Sequence, residues 1–445
     1  MRRTRAALTA AFGTLLLITA APLAAAPAAA GAQHASVVAD RPVRAVPQVL
    51  DGVVKSIAQV GDVMVAGGEF TRVSGPEGGP AEARDNIFAF DRATGALLPD
   101  FAPEVDGTVV SVAAGPDSTV IAGGDFRRVN GEKRRGLARL SLRDGEAAGG
   151  FGAVADDGAV NRLETHGGAL YVGGSFTGIS GTPKTGLARL DARTGAVDPA
   201  FDITIAEPRR GTLRVGELAV SPDGRRLVIA GTFTKVEGER RYQIAAIDTG
   251  AGARSGSVWG GPFGGLPGAG GGKARLSAWS TEVYAAPCDY SNIHTYVRQI
   301  DFAPDGSYFA VATSGGPEIK PGLCKTATRW ESDDTAGARP TWVNHSGGDS
   351  LYSVEVTGAA VYVGGHQRWM DNPEGERDKG PGAVERSGIA ALDPSTGKAL
   401  PWNPGRDRGH GAEALTTTAD GLYVGSDTER LAGERHPRLG FFPVR

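Results

Sequence analysis

Cysteine is almost missing from this chain, with two residues in 445. That excludes a disulfide-framework miniprotein and any cysteine-rich zinc module. A charge excess of one sign is missing too: 47 Lys+Arg stand against 50 Asp+Glu, a net charge of −3. With no basic stripe, nucleic acid is not an expected partner. Beyond the first two dozen residues no apolar run is long enough for a transmembrane helix, so no membrane span is expected. The chain has no Gly-x-Ser-x-Gly elbow, no His-Glu-x-x-His pair, no glycine-rich phosphate loop and no EF-hand loop. No cofactor, no metal and no catalytic residue is therefore assigned from motifs.

Glycine is plentiful, at 67 residues beside 27 prolines, as a turn-rich all-β chain requires. The N-terminus is also distinctive. Met1-Arg-Arg-Thr-Arg5 precedes an apolar stretch from Ala6 to about Ala21, and small residues end at Ala30-Gly31-Ala32. A basic, then apolar, then A-x-A order predicts a secretory signal peptide over residues 1–32, with Ala26 or Ala30 as alternative cleavage points. Pro22, Pro27 and the weak hydrophobicity of alanine argue against a retained anchor. Residues 33–41 read as a flexible lead, and the protein is expected to be secreted, extracellular or cell-wall associated.

The strongest signal is repetition. Val63–Phe70, Thr119–Phe126 and Ala169–Phe176 share an apolar run ending Gly-Gly-x-Phe, and Leu227–Phe233, Tyr308–Thr313, Ala360–Gly365 and Leu422–Ser426 are diverged copies. Equivalent positions fall at Gly67, Gly123, Gly173, Ala230, Ala312, Gly364 and Gly425, in steps of 56, 50, 57, 82, 52 and 61. Each unit reads as four short strands, called A to D, separated by turns such as Ser221-Pro-Asp-Gly224 and Asp191-Ala-Arg-Thr-Gly195. Repeats of this length predict a seven-bladed β-propeller of four-stranded antiparallel blades over residues 42–445. The repeats start near 52, 107, 158, 213, 295, 350 and 410. The last unit reads only to strand C, at Leu439–Val444, while Val46–Gly52 aligns with Phe101–Gly107. The N-terminal segment is thus expected to complete the last blade and close the ring.

The Gly-Gly-x-Phe strand end, the x-Gly-x-Ala-Arg-Leu-x-x-x-Thr-Gly run and the following Phe or Trp-x-Pro resemble the delta-60 repeat β-propellers. The resemblance covers about residues 42–445 and is good in units one to four. Gly315, Gln367 and Thr428 replace the phenylalanine in units five to seven. It implies a bacterial, often secreted propeller and supplies no catalytic residue.

Loop lengths point to one face. The A–B and C–D turns are short, whereas B–C is extended in units one (Ser74–Arg84), five (Ser314–Lys325) and six (His366–Ser387), and the D–A connection runs from about Gly260 to Asn292. These loops share a face, three of them around blades five and six. Cys288 and Cys324 both fall in them, and in an exported protein are expected to pair. Trp259, Trp330, Trp342 and Trp402 occupy repeat positions and read as core. Trp279 and Trp369 sit in insertions with Tyr284, Tyr290, Asp371 and Glu374, a set of aromatics and carboxylates suited to a sugar or peptide if exposed. His294 and His410 open strands A, and His366 follows a Gly-Gly, so all three belong near the channel mouth. Arg162, Glu217, Gln299 and Glu413 share a strand-A phase with Ser56, Ser111 and Ser353 as channel-lining residues.

The resulting expectation is a monomeric, non-catalytic extracellular binding module. Its partner is a polysaccharide, cell-wall polymer or protein on the loop face of blades five and six. The alternatives are a secreted enzyme, either a carboxylate glycosidase or lyase or a quinoprotein, and a structural surface protein. Asp393–Trp402 looks like a quinoprotein blade, but that family's Trp motif does not recur and adjacent paired cysteines are absent.

Overall fold

A computed structural model describes residues 33–76, 78–251, 272–288, 295–315 and 322–445. The expected signal peptide, Trp259, Tyr290 and His294 lie outside the described residues. The described chain is all-β, its one helical element being the 3₁₀ turn Val283–Ala285. No helix in it is long and apolar enough to cross a membrane.

The main strands form seven antiparallel sheets in which three consecutive strands lie side by side. Their first strands are Val53–Val60, Thr108–Gly115, Val160–His166, Val215–Val220, Val297–Phe302, Leu351–Val356 and Ala412–Thr418. Every one carries a register shift at the same place, immediately before Ser56, Ser111, Arg162, Glu217, Gln299, Ser353 and Ala414. A bulge that recurs seven times belongs to the repeat and not to local accident.

Successive first strands are bound together through side chains. Ser56 Oγ accepts the Val112 N–H at 3.0 Å and Ser111 Oγ accepts that of Leu163 at 3.0 Å. Gln299 Oε1 accepts the Val354 N–H at 2.9 Å, and Ser353 Oγ donates to the Ala412 carbonyl at 2.8 Å. The last sheet also meets the first, where Thr416 Oγ1 donates to the Ile57 carbonyl at 3.0 Å. Farther out, the arginine of the Ala-Arg-Leu motif, or of Thr328-Arg329-Trp330 in sheet five, reaches the next sheet's turn. Arg139 donates to the Arg193 carbonyl and Arg189 to that of Thr249, both at 2.6 Å, and Arg329 donates to that of Pro394 at 2.9 Å.

Among the described residues a laddered fourth strand occurs in sheet five at its expected place, Trp342–His345, and in sheet four as Arg275–Leu276, which falls inside the expected D–A insertion and not at Trp259. Sheets one, two, three and six replace it with single bridges such as Phe90↔Leu97 and Leu190↔Val197. Its aromatics are nevertheless core: Phe101, Phe151, Phe201, Trp342 and Trp402 are all buried, as is Trp330. In sheet seven the corresponding bridge is Val43↔Phe441, and the Ala39 N–H donates to the Pro443 carbonyl at 2.8 Å. The outer pairing falls on residues 39–43, just ahead of the 46–52 segment singled out by alignment. The segment Gln48–Val49 pairs with Arg72–Ser74, while the Val49 N–H donates to the Pro437 carbonyl at 3.2 Å and Arg438 donates to the Val49 and Gly52 carbonyls.

Between second and third strands, six sheets carry a two-stranded hairpin, from Arg72–Ser74 with Glu82–Ala83 to Arg430–Leu431 with Glu434–Arg435. Sheet five has none among the described residues and carries the Cys288–Cys324 disulfide there, with Cα atoms 5.6 Å apart. A Cβ on Gly315 would lie 3.0 Å from that of Cys324 and 3.2 Å from that of Cys288. The bridge thus fills the volume that phenylalanine occupies in sheets one to four.

Candidate functional site

The residue just before each bulge shift decides what the first strands present: Lys55, Val110, Asn161, Gly216, Arg298, Tyr352 and Glu413. Tyr352 is the centre of a cluster. The His410 ring stacks on it with centroids 4.7 Å apart and planes 9° apart, and His410 Nδ1 lies 2.7 Å from Glu413 Oε1. Glu413 Oε2 pairs with Lys55 Nζ at 3.2 Å. His366 meets Tyr352 edge-on at 5.4 Å. Its Nε2 accepts the Ser350 N–H at 3.1 Å, which leaves the proton on Nδ1, directed at the His410 carbonyl 3.0 Å away with the Tyr352 hydroxyl at 3.3 Å. Burial lowers the His366 pKa, which favours the neutral ring. Arg298 holds its guanidinium 5.9 Å from the Tyr352 ring centroid and donates to Ser314 Oγ at 2.6 Å. His410 is the open member, with 61% of its side chain exposed.

Deeper between the first strands, Arg162 Nε lies 2.9 Å from Glu217 Oε1, a charge contact without hydrogen-bond alignment. Two residues past the shifts stand Glu164, Asp301 and Glu355. Asp301 Oδ2 accepts the Val356 N–H at 2.6 Å, and Glu355 Oε1 accepts the Thr417 N–H at 2.8 Å and hydroxyl at 2.6 Å. One arginine cannot neutralise four carboxyls. Burial, opposed in part by Arg162, pushes Glu164 and Glu217 up to about 7, and burial with the charge of Glu355 raises Asp301. Glu355 is raised by burial as well. No group of three His, Cys, Asp or Glu among the described residues is arranged to hold a metal.

Of the residues expected at the site, His366 and His410 are brought together, with Glu413 between His410 and Lys55. Glu413 is not in phase with Arg162, Glu217 and Gln299 as expected. It precedes the shift, and Ala414 takes the shared position. Trp279 and Tyr284 are corrections: both are fully buried and cannot meet a ligand. They pack on Trp330 at 5.6 Å each, with Phe309 5.4 Å from Trp279, because residues 272–288 cover the core of sheet five. Asp371 is engaged by Asn344 Nδ2 at 2.7 Å and the Ala399 N–H at 3.2 Å. Trp369 is half-buried under the Arg368 guanidinium, 4.4 Å from its centroid, and Glu374 is exposed on its loop. Neither takes part in the His366–Tyr352–His410 contacts. Sequence reasoning missed Tyr352, Lys55 and Arg298, which lie one residue before the phase it followed, and Glu164, Asp301 and Glu355, which lie two after it.

Residues 115–146 and 168–201 match a family described as a domain of unknown function (DUF5122) beta-propeller. No curated protein matches the sequence. Solved structures that are similar include the computationally designed Ika8 protein, at 12% identity and TM-score 0.45 over 93% of this chain and 100% of that one. Another is the hydrazine synthase of Kuenenia stuttgartiensis, at 12% identity and TM-score 0.47 over 89% and 97%. Likeness at that level says nothing of activity. The motif-bearing strands and the family match converge: the second and third repeats of this chain are similar to the DUF5122 β-propeller domain.

Proposed function

We propose that the seven sheets are the blades of one closed ring, sealed by residues 39–43, and that the protein is secreted and binds an extracellular polysaccharide at the mouth of its central channel. The seven recurring bulges and the contact of the last sheet with the first support the ring. The disulfide supports an oxidising compartment. The observation that carries the binding site is the Tyr352–His410 stack, flanked by Glu413, Lys55 and Arg298. An aromatic platform beside charged hydrogen-bonding groups is the chemistry that sugar rings need. This moves the expected site from the loops of blades five and six to the rim where blades five, six, seven and one meet. The test is retention of residues 33–445 on a panel of insoluble polysaccharides and purified cell wall. Binding to at least one glycan is expected, and binding to none of them overturns the proposal.

A second reading rests on the carboxyls with raised pKa. Glu164, Glu217, Asp301 and Glu355 retain protons near neutrality, as a general acid in a glycosidase or lyase must. Under that reading Glu355→Gln abolishes release of reducing ends from the bound polymer, and under the binding reading no such release occurs in either protein.

A further inference from the structure

Four sheets close the space between the end of the second strand and the segment entering the first strand with an apolar pair. The pairs are Val49 with Phe70, Val105 with Phe126, Ala155 with Phe176 and Ile205 with Phe233, each within one core cluster. Sheet seven places Arg406 and Thr428 there. Arg406 bridges to Leu431 as Val105 does to Val129 and Ala155 to Ile179. A guanidinium with 1% of its side chain exposed has replaced an aliphatic group.

Its contacts run to both rim histidines. Nη2 donates to the carbonyl of Gly365 at 2.7 Å, the residue before His366. Nη1 donates to Thr428 Oγ1 at 2.8 Å and lies 3.7 Å from the Asp427 carboxylate. Asp427 in turn accepts the His410 N–H at 2.6 Å and the Gly411 N–H at 3.2 Å. We propose that Arg406 is a positioning residue for the rim, fixing from beneath the two backbone segments that carry His366 and His410. The assignment rests on the rim reading above. Burying the charge is costly, and it pulls the Arg406 pKa down to about 10. Four sheets of the same chain use the apolar solution, so stability alone does not call for an arginine here.

The double variant Arg406→Val/Thr428→Phe rebuilds the apolar pair and is expected to fold with a melting temperature at or above that of the parent. His366 is faced by His410, Tyr352, Asp349 and Arg408. In the variant the ring signals of His366 and His410 shift in ¹³C-histidine NMR spectra, and the His366 pKa rises toward the ordinary histidine value as its ring leaves the buried hydrogen bonds. A folded variant with both signals and the His366 titration unchanged overturns the proposal. Should the double variant not fold, Arg406→Lys keeps the charge but cannot span Gly365 and Thr428. Shifted histidine signals then support positioning, and unchanged signals overturn it. No ligand enters this experiment, so failure of the polysaccharide assay does not alter what the histidine signals show.

Discussion

Gln367 stands where sheets one to four carry phenylalanine, and both atoms of its amide are buried without a hydrogen-bond partner among the described residues. Leucine is close to it in volume and removes the unmet polar atoms. Gln367→Leu should therefore raise the unfolding free energy by about 1–3 kcal/mol, read from the urea midpoint, and a lower midpoint would show that the amide is satisfied. Trp279 argues in the other direction. It is a core residue between Phe309 and Trp330, so Trp279→Ala should cost about 3–5 kcal/mol in the same assay, and a loss below about 1 kcal/mol would place it at the surface. Sequence reasoning assigned Trp279 to a binding loop because insertions are normally surface segments; nothing in its neighbours announces that residues 272–288 fold back over a sheet. His366 and His410 were legible because each abuts a strand at a recurrent place. Tyr352 was not, since a bulge changes the alternation by one residue and leaves no compositional mark.

Among the elements, strands announce themselves best where packing repeats. The Gly-Gly ends, the Ala-Arg-Leu arginines and the Asp-x-x-Thr-Gly turns each have a physical task, as where Asp191 Oδ1 accepts the Thr194 N–H at 2.7 Å and hydroxyl at 2.8 Å. The fourth strands are less regular than their aromatics suggest: a buried aromatic at a fixed place is a packing signal and does not require a hydrogen-bonded ladder. The missing phenylalanine of sheet five and the pairing of Cys288 with Cys324 are both legible in the sequence; that the bridge fills the vacated volume is not, because the two cysteines stand 36 residues apart. Removing the bridge as Cys288→Ala/Cys324→Ala frees that loop in the unfolded chain and should cost about 3–4 kcal/mol. Unfolding with and without reductant measures it, and equal midpoints would contradict a stabilising bridge.

At the scale of the whole molecule, the four carboxyls between the first strands tie stability to pH. Their pKa values are raised in the folded state, so that state holds protons the unfolded chain has already released. Their contribution is present below the ordinary carboxylate range and is lost as pH rises through about 7. His166, His366 and His436 have lowered pKa values, through burial first, and act oppositely, but only below the ordinary histidine value. From pH 6.5 to 8 the carboxyls therefore dominate: the melting temperature should fall across that interval, and the fall should flatten in Glu355→Gln. A rising curve would mean that the carboxyls are ionised and compensated. Binding at the rim is tested most directly by comparing Tyr352→Ala and His410→Ala with Glu374→Ala for retention on the polysaccharide that the parent binds. Loss of binding in the first two, with full retention in the exposed-loop variant and all three folded, is the predicted result. Binding that survives both rim substitutions would place the ligand elsewhere on the molecule.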